Sequence, residues 1–445
     1  MSKKIAQADI PQESLLFRCS GFMFRLGLAL EIFEEVRPFG VLFADLFFLV
    51  SLILLLCSKE RSLLVSRGSG VMAASALILS RILVSGVMTG SALKVIILFG
   101  AFAPLALAHS RDLWRNLRYL VAGVTVNCAI AIISAWFWPG IVKMLAVNPT
   151  VTDIGQQSGR YAGLSGHPNS LGISAALAVL VAVGLLLHAK GEGLRIGTYL
   201  QILICLMGAV LSNSRTFFVA LLPPLLILVF WRRLSFKRVV RLSFGLICLL
   251  WLSWVAIDHV FPSAAGSYME RLGDTSASDE ANQGRLLTAS LALLEISQKP
   301  IWGWGPEHLG EAGMVYLPGE ADFEPVHVVF LHYWYAEGIL GAVGFALLFV
   351  LPVVGMFRIL RNSHAESMKE ASRLGICACV CIFISSNLHP LFAVRHLFMP
   401  LFVFAGILTL NPRRSQERTL LSLSQDALRK RARLDVSDNQ NAATL

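Results

Sequence analysis

Four short polar clusters interrupt an otherwise apolar chain of 445 residues, and each holds a group able to bind an anion or move a proton. Arg160-Tyr161-Ala162-Gly163 is followed by Gly166-His167-Pro168-Asn169-Ser170, where glycine and proline shape a tight entry into an apolar run. Arg160 suits an anion, while Asn169 or Ser170 could equally be a simple helix cap. Ser212-Asn213-Ser214-Arg215 lies between two apolar runs with almost no room for a loop. An arginine so placed is paired, hydrated or facing an anion, and its fork fits two phosphate oxygens. The plainer reading is a side chain reaching for water from the end of a span. Gly284-Arg285 opens a stretch of helical periodicity that Pro300-Ile301-Trp302-Gly303-Trp304-Gly305-Pro306 follows. Either Arg285 binds an anion beside a site-shaping glycine turn, or it is a solvated arginine in an acidic loop. His327-Val328-Val329-Phe330-Leu331-His332 begins the next apolar run. On a helix His327, Phe330 and Leu331 share a face, setting an imidazole above an apolar anchor, where a neutral ring accepts a proton from a hydroxyl. A structural histidine is the alternative.

The elements that must position these groups are helices in lipid. Hydrophobic residues make up 56% of the chain and charged ones 15%, against about 25% charged in a soluble domain; mean hydropathy is +0.67. So much apolar surface has a place only in a bilayer, whose hydrocarbon of about 30 Å is crossed by about 20 helical residues. Backbone in lipid must satisfy its own hydrogen bonds, and the alternating segments of a barrel are absent, so the fold class is all-α. Apolar runs fall near 15–33, 39–57, 69–89, 91–109, 117–137, 169–188, 196–212, 215–231, 241–257, 334–356, 373–390 and 396–411. These predict a polytopic membrane domain over 1–411 with 11–12 transmembrane helices, followed by a basic cytoplasmic tail, 412–445. The first run, with Arg18 and Arg25, reads as a span or as an interfacial helix.

Basic residues in the short connections give the orientation. Lys59, Arg61 and Arg67, then Arg111, Arg115 and Arg118, then Arg232, Arg233, Lys237, Arg238 and Arg241, then Arg358, Arg361, Lys369 and Arg373 all fall on one side when the spans alternate. That side is the cytoplasm. The other side receives 138–168 and a long acidic connection, 258–333, so the four clusters all lie at outer span ends or in outer loops. In the long loop Leu287, Leu291 and Leu294 recur at helical spacing, predicting an amphipathic helix that rests on the membrane surface or on the spans below and stops near Pro300. The net charge of +10 is gathered in the cytoplasmic segments and is an orientation signal, not a nucleic-acid footprint. Cys377, Cys379 and Cys381 read as small packing residues, and no disulfide framework or cleavable signal peptide is evident.

The order of the clusters on one side of the membrane resembles the O-antigen ligase and polysaccharide polymerase superfamily of bacterial membrane glycosyltransferases. The resemblance runs from about Arg160 to Gly341: Arg-x-x-Gly with Pro-Asn, Ser-x-Ser-Arg at a span junction, Gly-Arg in the outer loop, Pro-x-x-Gly-x-Gly, then His-x-x-Phe-Leu with Gly-Ile-Leu-Gly at re-entry. Phe43-Ala44-Asp45-Leu46 is similar to the family's early span. Two positions depart from the pattern: Val328 where the family often has Asn, and Ala336 where it often has Glu, which leaves His332 as the alternative to His327. The resemblance implies a GT-C-like membrane fold in the bacterial inner (cytoplasmic) membrane. It implies a transferase that moves a glycan from an undecaprenyl-pyrophosphate carrier to an acceptor hydroxyl at the outer face, without metal or other cofactor. Carried onto this chain, Arg215 and Arg285 hold the pyrophosphate, Arg160 is a further phosphate contact, and His327 serves the acceptor hydroxyl.

The implied partners are the lipid-linked glycan, an acceptor glycan, membrane lipid and other polysaccharide-assembly proteins, with no nucleic acid. Polymerisation of exopolysaccharide or surface polysaccharide repeat units is the leading expectation, and O-antigen ligation the alternative within the family. A small-anion transporter is the alternative of another class; it would use ionisable groups at mid-membrane, where Arg81 and Lys94 are the candidates. A non-catalytic assembly scaffold is the third. Glu34-Glu35 is an acidic pair near the outer face with no visible third metal ligand.

Overall fold

Each expected span within the described residues folds as a helix, and the differences lie in length and in what joins the helices. The structure, a computed structural model, describes residues 13–37, 41–63, 69–146, 160–188, 192–231, 280–309, 315–316, 323–324, 326–388 and 394–409. At 69, 192–193, 280–285, 315–316, 323–324 and 409 it describes the backbone alone. The expected span 241–257 and the tail 412–445 lie outside the described residues.

In chain order the helices are α1 (Leu15–Leu30), α2 (Phe43–Leu56), α3 (Ser69–Ser85), α4 (Gly90–Ile96), α5 (Ala103–Ala108), α6 (Leu113–Trp136), α7 (Ile141–Leu145), α8 (Pro168–His188), α9 (Glu192–Leu211), α10 (Thr216–Trp231), α11 (Glu280–Gln298), α12 (Val329–Asn362), α13 (Glu366–Ser386) and α14 (Arg395–Ala405). A π-helical turn, Ile97–Phe102, runs α4 into α5, where Pro104 lacks the N–H an α-helical ladder would use. Apart from a two-residue antiparallel pairing of Val315–Tyr316 with Phe323–Glu324, the described regular structure is helical.

Among the described residues five stretches are long and apolar enough to cross a bilayer: Gly90–Ala108, Ser110–Trp136, Pro168–His188, Leu194–Leu211 and Val329–Asn362. The chain is therefore a multi-pass membrane protein. Several other expected spans are shorter apolar helices, among them Phe43–Leu56, Gly70–Ser85, Thr216–Trp231 and Arg395–Leu408. At 1.5 Å per residue, a 16-residue helix such as α10 covers about 24 Å, short of the hydrocarbon thickness.

Helix α8 forms the centre, buried along nearly its whole length and packed by α6, α9, α10 and α13. Close approach depends on small residues, as expected where lipid supplies no hydrophobic drive between helices. A Cβ on Gly123 of α6 would fall 1.9 Å from the carbonyl oxygen of Ala29 in α1, so backbone meets backbone at that crossing. Cys377, Cys379 and Cys381 are all buried, in keeping with a packing role.

The long connection between α10 and α12 contributes three features. The first is α11: its inward face is Thr288, Ala292 and Ile296, while Leu287 and Leu294 stand 49% and 60% exposed. Of the two alternatives for the leucine face, packing on the spans does not occur for Leu287 and Leu294, because a close approach to α12 favours the smaller residues. The second is His327, which precedes α12 and is not on it: the helix begins at Val329 with Val328 as N-cap. The imidazole is carried on a bend before the helix, and the face shared with Phe330 and Leu331 does not form.

The third is the turn after Pro300, which plugs a break in α12. Gly338 takes φ 66° and ψ −157°, interrupting the helix. The exposed backbone is satisfied by the turn: Trp304 N donates to Tyr335 O (2.7 Å), Gly305 N to Ala336 O (3.1 Å), and Ile339 N to Ile301 O (3.2 Å). Gly303 also has a positive φ, 65°, and a Cβ there would lie 2.5 Å from Gly338 N. Gly303 and Gly338 serve backbone-to-backbone contact. Gly338→Ala combines a left-handed φ with a Cβ 2.1 Å from Ile301 O, so a loss of about 2 kcal/mol or more is expected. Thermal unfolding in detergent measures it; an unchanged midpoint would show that the break is not structural.

Candidate active site

The polar clusters meet where the ends of α1, α2, α8, α12 and α14 come together with the α9–α10 junction. The segment starting at Arg160 is held on several sides. Arg160 Nε donates to Ser212 O (3.2 Å) and Nη2 to Asn169 Oδ1 (2.7 Å). Tyr161 N donates to Leu211 O (3.1 Å), and Leu164 N to Asn127 Oδ1 of α6 (2.7 Å). The first and second clusters are thus one unit, joined through Arg160. Asn213 takes a positive φ of 49°, which lets the chain reverse within Ser212-Asn213-Ser214. Arg215 follows that turn, half-buried, immediately before α10, and its carbonyl accepts from Phe218 N.

His167 links this unit to the others. Its Nδ1 accepts from Asn169 N at 3.1 Å, which places the ring proton on Nε2. Burial first, then Arg160, pushes its pKa down to about 4, with Glu34 opposing and His327 adding to the decrease. It is a neutral imidazole at pH 7 that feels charges from three of the elements around it. His327 is half-buried and also within electrostatic reach of His332. His332 is fully buried, and its Nε2 donates to Val326 O at 2.6 Å, bracing the segment that carries His327.

Arg285 lies in α11, but its side chain lies outside the described residues. Its helix is set against the start of α12 by an apolar cluster of Ala292, Ile296, Val326, Leu331 and Tyr335. Arg160, the Arg215 turn and His327 are therefore brought to one end of the bundle, and Arg285 is on a helix packed beside His327.

Several residues at this end were not among the expected site residues. Glu34 Oε1 stands 3.2 Å from His396 Nδ1, Arg395 forms an ion pair with Asp45, and buried Glu31 lies within the field of Arg395. Glu35 packs on Gly166, whose Cβ would lie 2.6 Å from Oε1. Burial, reinforced by Glu34 and opposed by Arg37, raises the Glu35 pKa. Glu34, Glu35 and Asp45 stand out in the sequence; for Arg395 and His396 the only signal is a basic pair directly before the last apolar run.

A comparison with family models matches Wzy_C, O-antigen ligase, over residues 200–346. This stretch, about a third of the chain, is similar to the O-antigen ligase family and supports the resemblance to the ligase and polymerase superfamily. The matched stretch runs from α9 through the Arg215 junction and the long connection to the first half of α12. It contains Arg215, Arg285 and His327, and leaves outside it Arg160, His167, Glu34, Arg395 and His396, which the fold alone brings to the same place. No curated protein matches the chain.

Proposed function

We propose that the protein is a bacterial inner-membrane glycosyltransferase that takes a glycan from an undecaprenyl-pyrophosphate carrier and attaches it to an acceptor hydroxyl on the extracytoplasmic side. The observation that carries this reading is the meeting of Arg160, the Arg215 turn and His327 at one end of the bundle, within or beside the O-antigen ligase stretch. The basic segment after Pro412 is the cytoplasmic tail, and the connection 258–333 lies on the opposite side.

His327 accepts the proton of the acceptor hydroxyl as its oxygen attacks the anomeric carbon. The bond from that carbon to the pyrophosphate oxygen breaks, and the lipid pyrophosphate leaves with the bonding electrons and the added negative charge. Arg215 and Arg285 bind that charge, with Arg160 contributing beside them; fixed guanidiniums in a partly dehydrated site stabilise charge that develops in the transition state. His167, neutral and adjacent, does not compete electrostatically with protonation of His327. His327 then returns its proton to water. No step requires a divalent cation, because the arginines meet the charge.

Polymerisation of exopolysaccharide or surface polysaccharide repeat units is the preferred activity, with O-antigen ligation next. Full-length protein reconstituted in vesicles with lipid-linked repeat units is expected to lengthen glycan chains, at an unchanged rate with excess chelator. Loss of activity with chelator, restored by a divalent metal, would overturn the metal-free scheme. Absence of transfer to any glycan acceptor would overturn the enzyme reading. In cells, a deletion that leaves single repeats attached identifies a polymerase, and one that strands long chains on the carrier identifies a ligase.

A further inference from the structure

A cavity of about 480 Å³ opens between α1 and the start of α6, at the end of the bundle away from the candidate active site. Three guanidiniums, Arg18, Arg25 and Arg115, line it against two carboxylates, Glu13 and Asp112. Both carboxylates are already engaged: Asp112 Oδ2 lies 3.2 Å from Arg25 Nη1, and Glu13 Oε1 lies 3.7 Å from Arg111, which is outside the cavity. Among the described residues Arg18 and Arg115 have no carboxylate at ion-pair distance. The Arg25 side chain is only 7% exposed, and its Nε has no hydrogen-bond partner among the described residues. Arg115 faces it closely enough for the two charges to oppose each other.

The remaining wall adds no positive charge. His109 sits between two spans with Nε2 at 2.8 Å from the Ser20 hydroxyl, and burial, then Arg25, pushes its pKa down to about 3. Asp112 meets one face of the Arg25 guanidinium, but three cations against carboxylates already engaged, with the buried Arg25 Nε donor unused, leave the cavity in need of a further acceptor. The donors come from two helices and surround the space, which suits a tetrahedral oxyanion that can accept from several arginines at once. Phe22, 43% exposed, forms an apolar rim beside the polar interior.

We propose that this cavity is a binding site for a phosphate group, held by Arg18, Arg25 and Arg115 and supplied either by an anionic phospholipid head group or by free phosphate. The site is distinct from the candidate active site and does not depend on the transferase reading.

The test uses the purified full-length protein and follows its thermal unfolding midpoint against added phosphatidylglycerol, inorganic phosphate and diacylglycerol. Wild type is expected to show a saturable rise with phosphatidylglycerol or with inorganic phosphate. Half-saturation moves up by about tenfold or more in the Arg18→Gln/Arg115→Gln double variant, as loss of two cations near a lipid phosphate implies. Both residues are exposed, so these substitutions leave packing intact. Arg118→Gln, which removes a neighbouring charge outside the cavity, is expected to stay within about twofold of wild type. A response confined to phosphatidylglycerol identifies a head group; a response to inorganic phosphate identifies the free ion. The proposal is overturned by no saturable response to either, by an equal response to diacylglycerol, by an undiminished response in the double variant, or by an equal loss in Arg118→Gln.

Discussion

Arg215→Lys lowers the rate of glycan transfer by about 10²- to 10³-fold, the range expected when one preorganised donor to a developing anion is removed. The substitution keeps the positive charge and removes the planar fork, so the loss reports bidentate recognition and not net charge. The turn that presents Arg215 is held by bonds that other residues make. It is tied to Arg160 through Ser212 O, to α6 through Leu164 and Asn127, and to its own positive-φ Asn213. The thermal unfolding midpoint should therefore stay near wild type while the initial rate with lipid-linked glycan collapses. A variant that makes product of full length and amount would remove Arg215 from the mechanism. Arg160→Lys differs in kind: the hydrogen bonds to Ser212 O and Asn169 Oδ1 are both at risk, so activity and stability fall together.

His327→Ala is expected to cost about 10²- to 10⁴-fold in transfer rate, the usual span for loss of a general base. The pH profile gives the sharper test. A base must be neutral to accept a proton, so wild-type activity rises with pH as the catalytic imidazole deprotonates, and this acid limb disappears in the variant. His167 cannot produce the limb, because burial and Arg160 hold its pKa down to about 4 and it is already neutral through the range in question. His332→Ala provides the contrast. Its Nε2 holds Val326 O from a fully buried position, so its loss should cost about 1–3 kcal/mol of stability, read as a lower unfolding midpoint, and keep the acid limb in whatever activity remains. A limb that survives His327→Ala and vanishes in His332→Ala would exchange the two roles.

The amino-acid sequence alone determined the helices, their order and the places where polar groups interrupt them. Those features are local: an apolar run either is or is not long enough to prefer lipid, and Gly, Pro, Asn and Ser at its ends act on backbone within a few residues. For that reason the Arg160, Arg215 and His327 clusters, and the helix around Arg285, could be read without coordinates. Pairings made by helix packing could not. His396 against Glu34 and Arg395 against Asp45 join opposite ends of the chain, and neither residue's neighbours in sequence announce its partner.

The same reason accounts for the expectations that failed. Periodicity correctly made 283–297 helical and left its leucine face to the membrane surface or to the spans; contact with α12 selected Thr288, Ala292 and Ile296 for the spans. The Gly303 and Gly305 turn, read as shaping a site, also complements a helix break at Gly338 that no local pattern announces. His327 looked helical because apolar residues follow at helical spacing, yet the helix starts two residues later, once the His332 bond to Val326 O has set the entry. Tertiary structure decided each of these because a Cβ, a ring proton or an ion pair is favoured or penalised by atoms that are distant in the chain and adjacent only after the helices pack.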